Sequence, residues 1–298
     1  RFRTWFEPLR RVLTLGIVLL ATTKIVATHP LGSIGQPLMQ ITFLGTGTSH
    51  GVPRIACTCD VCTSHDPRNK RFRSSLLIRD DSESVVIDTG PEFRLQALRA
   101  HITHLHAVFY THNHADHMNG IDDLRVFSEV SPLDVYGPSQ VLEDIRQRFP
   151  YAVGEHSWRG NIPQLRLHEV PPSGVAIGSM RFVAVPLVHG CRQVFGYRIG
   201  DFAYLTDCKH IPPESLALLD GLEVLVLDAL RYKEHPTHMC IDEAIAAAEQ
   251  IGAGHTYLTH LTHRVDHAEL EQYLPPTMSP AHDNLTISIP TRAEGAPK

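Results

Sequence analysis

The sequence predicts an α/β fold in which two mixed β-sheets are covered by helices. Short apolar runs and segments with helical spacing alternate along most of the 298 residues, and hairpin turns occur as well as crossovers. Several apolar runs end abruptly in histidine or aspartate, as expected where a buried sheet presents polar groups at its edge. A chain that is 43% hydrophobic and 20% charged can bury a core, which excludes a disordered chain.

The first half of the predicted fold begins with a short apolar strand over 40–44, which runs into the turn Gly45-Thr46-Gly47. A polar turn at 80–82 then separates two apolar runs and predicts a hairpin. The remaining elements of this half are predicted, in order, as strands over 76–78 and 85–87, a helix over 92–100, a strand over 107–110 and a helix over 140–149.

The second half is predicted to contain six strands, over 181–188, 195–199, 202–206, 224–228, 255–259 and 285–289. The clearest helix spans 242–251, where four alanines lie between Asp242 and Gly252. Asp242 is the predicted N-cap of this helix, and Gly252 is the predicted stop at its carboxyl end.

Residues 1–38 are expected to lie outside the fold. Four arginines precede an apolar run from Val12 to Ala21, which is too short for a comfortable transmembrane helix but resembles a secretory signal. The alternative is an extension upstream of Met39 in a cytosolic protein. The domain is therefore predicted over 39–290, and the tail over 291–298 is expected to be mobile.

Charge and cysteine usage limit the function classes. A net charge of -5 argues against a protein that coats nucleic acid, whose surface should be basic. Cys57, Cys59 and Cys62 form a tight C-x-C-x-x-C cluster that suits a thiolate metal site better than internal disulfides. Such a site favours a reducing compartment, so a cytoplasmic location is expected, with export as the alternative if residues 1–27 are a signal.

The strongest chemical signal is the segment Thr111-His112-Asn113-His114-Ala115-Asp116-His117, directly after the predicted strand over 107–110. His112 and His114 are two residues apart, so both imidazoles face one side where the chain leaves the strand extended. Asp116 and His117 follow after a turn and can face a second centre nearby. Paired metals in hydrolytic sites lie about 3.5–4 Å apart, so the segment predicts two neighbouring metal ions.

Two metals need more ligands than one loop supplies, and other strand ends offer them. The runs over 185–188, 203–206 and 257–259 lead directly to His189, Asp207 and His260. Each of these residues alone is a weak signal, because a single histidine at a strand end is more often a structural hydrogen-bonding group. Their occurrence together with the histidine-rich segment predicts one shared metal site.

The order of these motifs resembles the metallo-β-lactamase superfamily. Asp88, in Val86-Ile87-Asp88-Thr89-Gly90, matches the first motif of the family and is implied to support the ligands from behind. The resemblance implies an αββα four-layer sandwich of two mixed β-sheets flanked by helices. It implies that one metal is held by His112, His114 and His189, that the other is held by Asp116, His117 and His260, and that Asp207 bridges both.

A narrower resemblance links the chain to the PhnP-type phosphodiesterases. It rests on the segment from Phe43 to Pro53 followed by the three clustered cysteines. Members of that group carry a structural zinc held by three cysteines and one histidine, and His263 matches the histidine. His238, just before the helix over 242–251, matches a proposed proton donor, with His235 as its competitor.

These resemblances imply a hydrolase with two catalytic divalent metals, zinc or manganese, and one structural zinc. The implied substrate is a small phosphodiester, cyclic ones included, attacked by a metal-bridging hydroxide that Asp116 orients while His238 serves the leaving oxygen. Arg54, Arg71 and Arg73 are candidates for local positive charge. No stable nucleic-acid partner and no membrane span are expected, and the frequency of symmetric dimers favours a homodimer.

Four other hypotheses for the function remain open. A tRNA 3′-processing endonuclease shares the Phe-Leu-Gly-Thr-Gly and histidine motifs, but would be expected to carry an added basic arm. A glyoxalase-II-like thioester hydrolase uses a similar histidine loop. A di-iron redox member would carry glutamate where this chain has Asn113. A PqqB-like binding protein shares the cysteine cluster but lacks the hydrolytic ligands.

Overall fold

The polypeptide forms two seven-stranded sheets within residues 38–154 and 161–290, the parts that the computed structural model describes. The strands are β1 (Leu38–Gly45), β2 (Ser75–Arg79), β3 (Ser84–Ile87), β4 (Ala107–Phe109), β5 (Leu133–Gly137), β6 (Leu165–Glu169), β7 (Val175–Ile177), β8 (Met180–His189), β9 (Arg192–Ile199), β10 (Phe202–Leu205), β11 (Val224–Asp228), β12 (His255–Thr259), β13 (Met278–Pro280) and β14 (Thr286–Pro290). The α-helices are α1 (Asp60–Thr63), α2 (Phe93–Arg99), α3 (Ala115–Met118), α4 (Ser139–Arg148), α5 (Pro213–Leu216), α6 (Ile241–Ile251) and α7 (His267–Tyr273). Short 3-10 helices cover Pro67–Asn69, Ile121–Phe127, Pro150–Ala152 and Ala217–Leu219.

The two sheets share one pairing pattern. The first sheet has the order β14-β1-β2-β3-β4-β5-β6, and the second has the order β7-β8-β9-β10-β11-β12-β13. In each sheet the first three pairings of that order are antiparallel and the last three are parallel. The carboxyl ends of parallel strands meet at one edge of a sheet, which is where polar groups gather in such folds.

Side chains that alternate along the strands divide the core into layers. Val85 and Ile87 of β3 pack in the cluster between the two sheets, whereas Val86 packs on the outer face with helices α2 and α4. In β11, Val226 joins the cluster between the sheets, while Leu227 packs on the outer face against α6 and α7. The result is a helix–sheet–sheet–helix sandwich, which confirms the predicted fold class.

Most predicted elements lie within a few residues of their observed bounds. Asp242 is not an N-cap: Cys240 holds that position, because the Glu243 side chain accepts from the Cys240 amide and closes a capping box there. Gly252 ends α6 with the left-handed backbone expected of a C-cap glycine. The sequence analysis missed β5, β6, β7, β13, the three short helices α1, α3 and α5, and α7.

Several sequence-based expectations concern residues outside the described part. The predicted N-terminal extension lies there except for Leu38, which begins β1, and so does the predicted tail over 291–298. Among the described residues, every helix is too short or too polar to cross a bilayer.

Candidate metal centre

The predicted histidines and aspartates lie together where strands of both sheets end. His112 and His114 follow β4, their ring centroids are 4.5 Å apart, and His117 is buried in α3. His189 is the last residue of β8, and its ring lies 5.7 Å from that of His112. Asp207 and His260 follow β10 and β12, which places all six side chains in one crevice formed by separate strands.

Asp207 lies between two sets of ligand-type side chains. Its Oδ1 atom faces His112, whose Nε2 lies 3.8 Å away. Its Oδ2 atom faces the other set, with His117 Nε2 at 3.1 Å and His260 Nδ1 at 2.9 Å. Ligand atoms of His112, His114, His189 and Asp207 lie within 4.8 Å of one another, and so do those of His117, Asp207 and His260. One carboxylate could therefore be shared by two cations.

Asp116 has its own place beside the second set. Its Oδ2 atom lies 3.3 Å from His117 Nε2, and its side chain is largely buried at the start of α3. A carboxylate at this position can bind a cation together with His117, and it can accept a hydrogen bond from a water held between the two sets.

Buried partners fix the orientation of three imidazoles. His117 Nδ1 donates to Asp88 at 2.7 Å, and His189 Nδ1 donates to the Thr237 carbonyl at 2.8 Å. Thr111 donates its hydroxyl hydrogen to Asp88 and lies 2.9 Å from His112 Nδ1, so it accepts from that nitrogen. In each ring the proton is held at Nδ1, which leaves the Nε2 lone pair directed into the crevice, as in histidines that bind metals.

The surroundings of two of these Nε2 atoms indicate whether the crevice suits a metal ion. The buried Nε2 atoms of His112 and His117 make no well-oriented hydrogen bond. A buried polar atom without a partner costs about 1–3 kcal/mol, so such atoms need an explanation. A divalent cation in each of the two sets would satisfy these lone pairs, and histidine with carboxylate is a donor set that zinc and manganese accept.

The pKa shifts of the histidines in the crevice also favour a bound cation. Burial lowers the pKa of His112 well below its ordinary value. Burial acts in that direction on His117 too, but the carboxylates of Asp207, Asp116 and Asp88 outweigh it and raise that pKa. His260 has a pKa raised to about 9, since Asp207 and Asp228 outweigh the effect of burial. When no cation is bound, protons on His117 and His260 therefore balance the negative charge of the carboxylates. A bound cation would displace these protons.

Three of these side chains leave their strands with an unusual backbone. Asp88, Asp207 and His260 have φ angles of 62°, 52° and 61°. Non-glycine residues rarely adopt this left-handed region, and where they do, the surrounding structure must hold them. Each follows a strand of a parallel pair, so the sharp turn redirects the side chain into the crevice.

His238 lies at the same crevice and is held by an aspartate that the sequence analysis did not select. Asp228 Oδ2 accepts from His238 Nδ1 at 2.8 Å and from the Cys208 amide at 2.8 Å, and Asp228 is fully buried. His238 Nε2 then faces Asp207 Oδ1 at 3.9 Å. His235 is farther out, with its Nδ1 atom near the Thr237 hydroxyl. Asp228 is the last residue of the apolar run of β11, just as Asp207 follows the apolar run of β10. This pattern could have identified Asp228 from the sequence.

The cysteine cluster forms a separate set of ligand-type side chains, with Cys62 in the short helix α1 and Cys57 and Cys59 just before it. The thiols of Cys57, Cys59 and Cys62 and the His263 imidazole offer ligand atoms within 4.8 Å of one another. His263 Nδ1 is 3.3 Å from Cys57 Sγ and 3.4 Å from Cys59 Sγ. Three sulfurs and one nitrogen in this arrangement match the donor set of a closed tetrahedral zinc site.

A cleft of about 820 Å³ reaches the metal centre from the side of His112, His114 and His189. One wall is formed by the end of β5 and the start of α4, and the other by β9. Arg192 lies in this cleft, and its charge acts on His114. The other lining residues are Asn113, Gly137, Pro138, Ser139, Gln140, Val141, Asp144, Glu169, Val170, Gln193, Val194 and Phe195.

Two of the three arginines considered as sources of local charge are engaged elsewhere. Arg71 is buried and donates to backbone carbonyls, and Arg73 forms an ion pair with Glu92. Arg54 lies on the exposed loop beside the cysteine cluster. None of the three lines the cleft, and Arg192 is the arginine that does.

Comparisons with known proteins agree with this geometry. Residues 83–261 match a family model described as a beta-lactamase superfamily domain. A solved structure described as a new diphosphatase from the PhnP family is 39% identical, with a TM-score of 0.80 over 86% of this chain and 100% of that chain. Zn²⁺-bound PqqB from Methylobacterium extorquens is 17% identical with a TM-score of 0.70 over 84% of this chain and 100% of that chain, which shows the shared fold.

Curated relatives match over part of their own length. An octanoyltransferase of Porphyromonas gingivalis is 41% identical over 255 residues, which is 84% of this chain but 52% of that protein. A ribonuclease Z of a Nostoc species is 30% identical over 171 residues, 55% of this chain and 47% of that protein. The chain thus spans about half the length of these relatives. The family model and the solved relative nevertheless agree: the chain belongs to the beta-lactamase superfamily and, within it, to the PhnP family.

Proposed function

We propose that this chain is a dinuclear-metal hydrolase that cleaves small phosphodiesters, cyclic ones included. The observation that carries the proposal is Asp207, whose two carboxylate oxygens face two different sets of buried histidines. Paired cations that share a ligand are typical of enzymes that cleave phosphorus–oxygen bonds by in-line displacement.

Each of the three metals has a defined set of residues in this proposal. His112, His114 and His189 hold one catalytic cation, and Asp116, His117 and His260 hold the other, with Asp207 shared between them. The three clustered cysteines and His263 hold a structural zinc. When bound, the catalytic cations, zinc or manganese, supply a water of lowered pKa and neutralise charge on the phosphoryl oxygens.

The side chains of the chain itself do the remaining work. Asp116 accepts a hydrogen bond from the attacking water and thereby aims it. Asp88 keeps the proton of His117 at Nδ1 and so keeps Nε2 free for a cation. Asp228 accepts from His238 Nδ1, and its negative charge stabilises the doubly protonated ring, whose second proton, at Nε2, is directed at the leaving oxygen and is transferred to it.

The cleft suits a small substrate of low charge. Its volume of about 820 Å³ fits a nucleotide-sized molecule. Arg192 is the single arginine or lysine among its lining residues, whereas Asp144 and Glu169 are acidic, so a phosphate monoester dianion would meet little compensating charge. A diester carries one negative charge per phosphorus and is therefore favoured. The diphosphatase activity named for the PhnP-family relative makes diphosphate diesters a second group to test.

The remaining expectations are part of the same proposal. The thiolate site is compatible with a reducing, cytoplasmic environment. A homodimer without a stable nucleic-acid partner is proposed on frequency and net charge alone. The octanoyltransferase and the Nostoc ribonuclease Z are about twice as long as their matched parts, so neither activity is carried over to this chain.

A metal analysis combined with a substrate panel tests the function. The panel contains bis-p-nitrophenyl phosphate, cyclic nucleotides, diphosphate diesters, p-nitrophenyl phosphate, acyl-glutathione and a tRNA precursor. We expect three metals per chain and turnover of the diesters, with Asp116→Ala strongly impaired and His168→Ala, which lies outside the cluster in β6, as the matched control. Turnover of acyl-glutathione or tRNA precursor instead of the diesters, or an unimpaired Asp116→Ala variant, would reject the proposal.

A further inference from the structure

Arg71 is a buried cation that the proposed reaction does not use. It is one of the largest fully buried side chains, with 1% of its surface exposed. Burying a guanidinium is costly unless its donors are paired, and burial lowers the pKa of Arg71 to about 10. A charge retained at such a cost calls for a reason, and the partners of the guanidinium supply one.

The guanidinium binds the backbone of the loop that follows β12. Its Nη1 donates to the Thr262 carbonyl at 3.1 Å and to the Val265 carbonyl at 3.0 Å. Its Nη2 donates to Asn69 Oδ1 at 3.0 Å, and Asn69 in turn donates to Asp266. Two carbonyls of one loop thus share one guanidinium nitrogen, which fixes the path of the backbone between them.

This loop carries one residue of each proposed metal site. His260, at its start, faces Asp207, and His263 faces the cysteine cluster. The backbone of His260 is left-handed, with a φ of 61°, a conformation that persists only where neighbours hold it. Backbone bonds from Leu261 to Thr46 and from Thr262 to Leu230 hold one side of the loop, and Arg71 holds the other.

Arg71 also belongs to the loop of the cysteine cluster. Its own backbone pairs with that of Val52 in both directions, at 2.7 and 2.8 Å. Val52 packs with Val61 and the cluster cysteines in a small apolar group of its own. The main chain of Arg71 is therefore tied to one metal loop, and its side chain is tied to the other.

We propose that Arg71 is a positioning residue that holds His260 in place for the second catalytic cation and couples it to the loop of the cysteine cluster. The inference rests on the proposed function, because it assigns His260 to a metal. Loss of the guanidinium frees the Thr262 and Val265 carbonyls, and the left-handed turn at His260 relaxes. His112, His114 and His189 do not depend on this loop, so the first cation keeps its ligands.

Cobalt binding to the purified full chain distinguishes these sites. Thiolate-bound cobalt has a charge-transfer absorption band that the histidine–aspartate centre lacks, and stepwise titration reports the two catalytic cations separately. The variants are Arg71→Met, which removes the donors, and Arg71→Lys, which keeps the charge but loses the planar fork. The matched control is Arg99→Met, because Arg99 donates to Leu44 and Asp283 and not to the loop after β12.

We expect Arg71→Met to weaken the second catalytic cobalt by about 10-fold or more, with a smaller loss in Arg71→Lys. The first cation and the thiolate band should persist, and excess metal should restore kcat. If Arg71 contributed to stability alone, Arg71→Met and Arg71→Lys would lower the Tm without changing the affinity for the second catalytic cation. That result would overturn the inference. If Arg71→Met does not fold, Arg71→Lys decides between these outcomes. A wild-type chain that binds no cobalt at the histidines would instead reject the proposed function, and this inference with it.

Discussion

The histidine–aspartate centre and the cysteine cluster use similar kinds of side chain, but the fold holds them differently. His112 and Asp207 are buried where strands of the two sheets end, and His117 is buried in the short helix α3 that follows. Cys57 and Cys59 are half-buried on a loop whose apolar group is small. The side chains of the first site are positioned by the sheets, whereas at the second site a bound metal would tie down a loop that has little core of its own.

The two arrangements imply different roles for a metal bound at each site. In the crevice, protein partners hold the imidazoles with their lone pairs pointing inward, so a cation there is free to act on a substrate. At the cysteine cluster, the four protein ligands would complete a tetrahedral set around a metal, which would leave no position for a substrate. Changes in the crevice should therefore affect turnover, and changes in the cluster should affect stability.

Asp207→Asn should reduce turnover more than any other substitution considered. The amide keeps the shape of the side chain but removes the charge that faces both histidine sets. We expect weaker binding of both catalytic cations and a loss of turnover of about 10³-fold, equivalent to several kcal/mol of transition-state stabilisation. Metal content and kcat measure this, with exposed Asp220→Asn as the control. Turnover within tenfold of the wild type would show that Asp207 is not shared by two catalytic metals.

Asp228→Asn should have the next largest effect. An asparagine keeps the shape of the Asp228 side chain but removes the negative charge that stabilises a doubly protonated His238 ring, so His238 becomes a poorer donor of its Nε2 proton. We expect turnover to fall by about 10- to 100-fold for a diester with an alkoxide leaving group. The fall should be smaller for p-nitrophenolate, which needs no proton to leave.

Metal content completes that experiment. Asp228, His238 and His260 also offer atoms within 4.8 Å of one another. If Asp228→Asn loses a cation, Asp228 is a ligand and not a support for His238. His235→Ala is the matched control, because His235 lies next to His238 but contacts Thr237 and not Asp228.

Cys57→Ser tests the role of the cysteine cluster. We expect the loss of one metal per chain and faster proteolysis within residues 48–73, because that loop loses its tie to His263. A loss of about 2 kcal/mol would lower the Tm by about 4–8 °C in a domain of this size. Turnover with saturating catalytic metal should fall less than in Asp228→Asn. The exposed Cys191→Ser is the control, and an unchanged metal count would contradict the assignment.

The sequence predicted the ligand-type residues of the crevice better than the residues that hold them in place. A strand that ends in His189 or Asp207 is visible locally, since apolar runs and ligand-type residues are adjacent in the chain. Asp228 carried the same signal but lacked a matching motif. Arg71 was selected only as a source of local charge, and its anchoring contacts could not be predicted, because its partners, Thr262 and Val265, lie nearly two hundred residues away in sequence. Edge strands such as β7 and β13 are short, so their patterns are weak.

The last prediction concerns pH and the anchor of the cysteine loop. His267 begins α7, is buried, and donates its backbone amide to Asn69, the residue that also binds Arg71. Burial, together with the charges of Arg68 and Arg71, lowers the pKa of His267 to about 3. The unfolded chain, with an ordinary histidine pKa of about 6.5, binds more protons between these values. The free energy of unfolding therefore falls as the pH falls from about 6.5 towards 3.

The linkage gives a cost of about 2 kcal/mol at pH 5 relative to pH 7 from this one histidine. Urea unfolding of the wild type and His267→Gln at both pH values measures it. Metal loss at low pH affects both chains equally, so the difference between them isolates His267. The exposed His101→Gln is the control. If the wild type and His267→Gln lose the same stability at pH 5, acid acts on the metal centres and the anchor of the loop is insensitive to it.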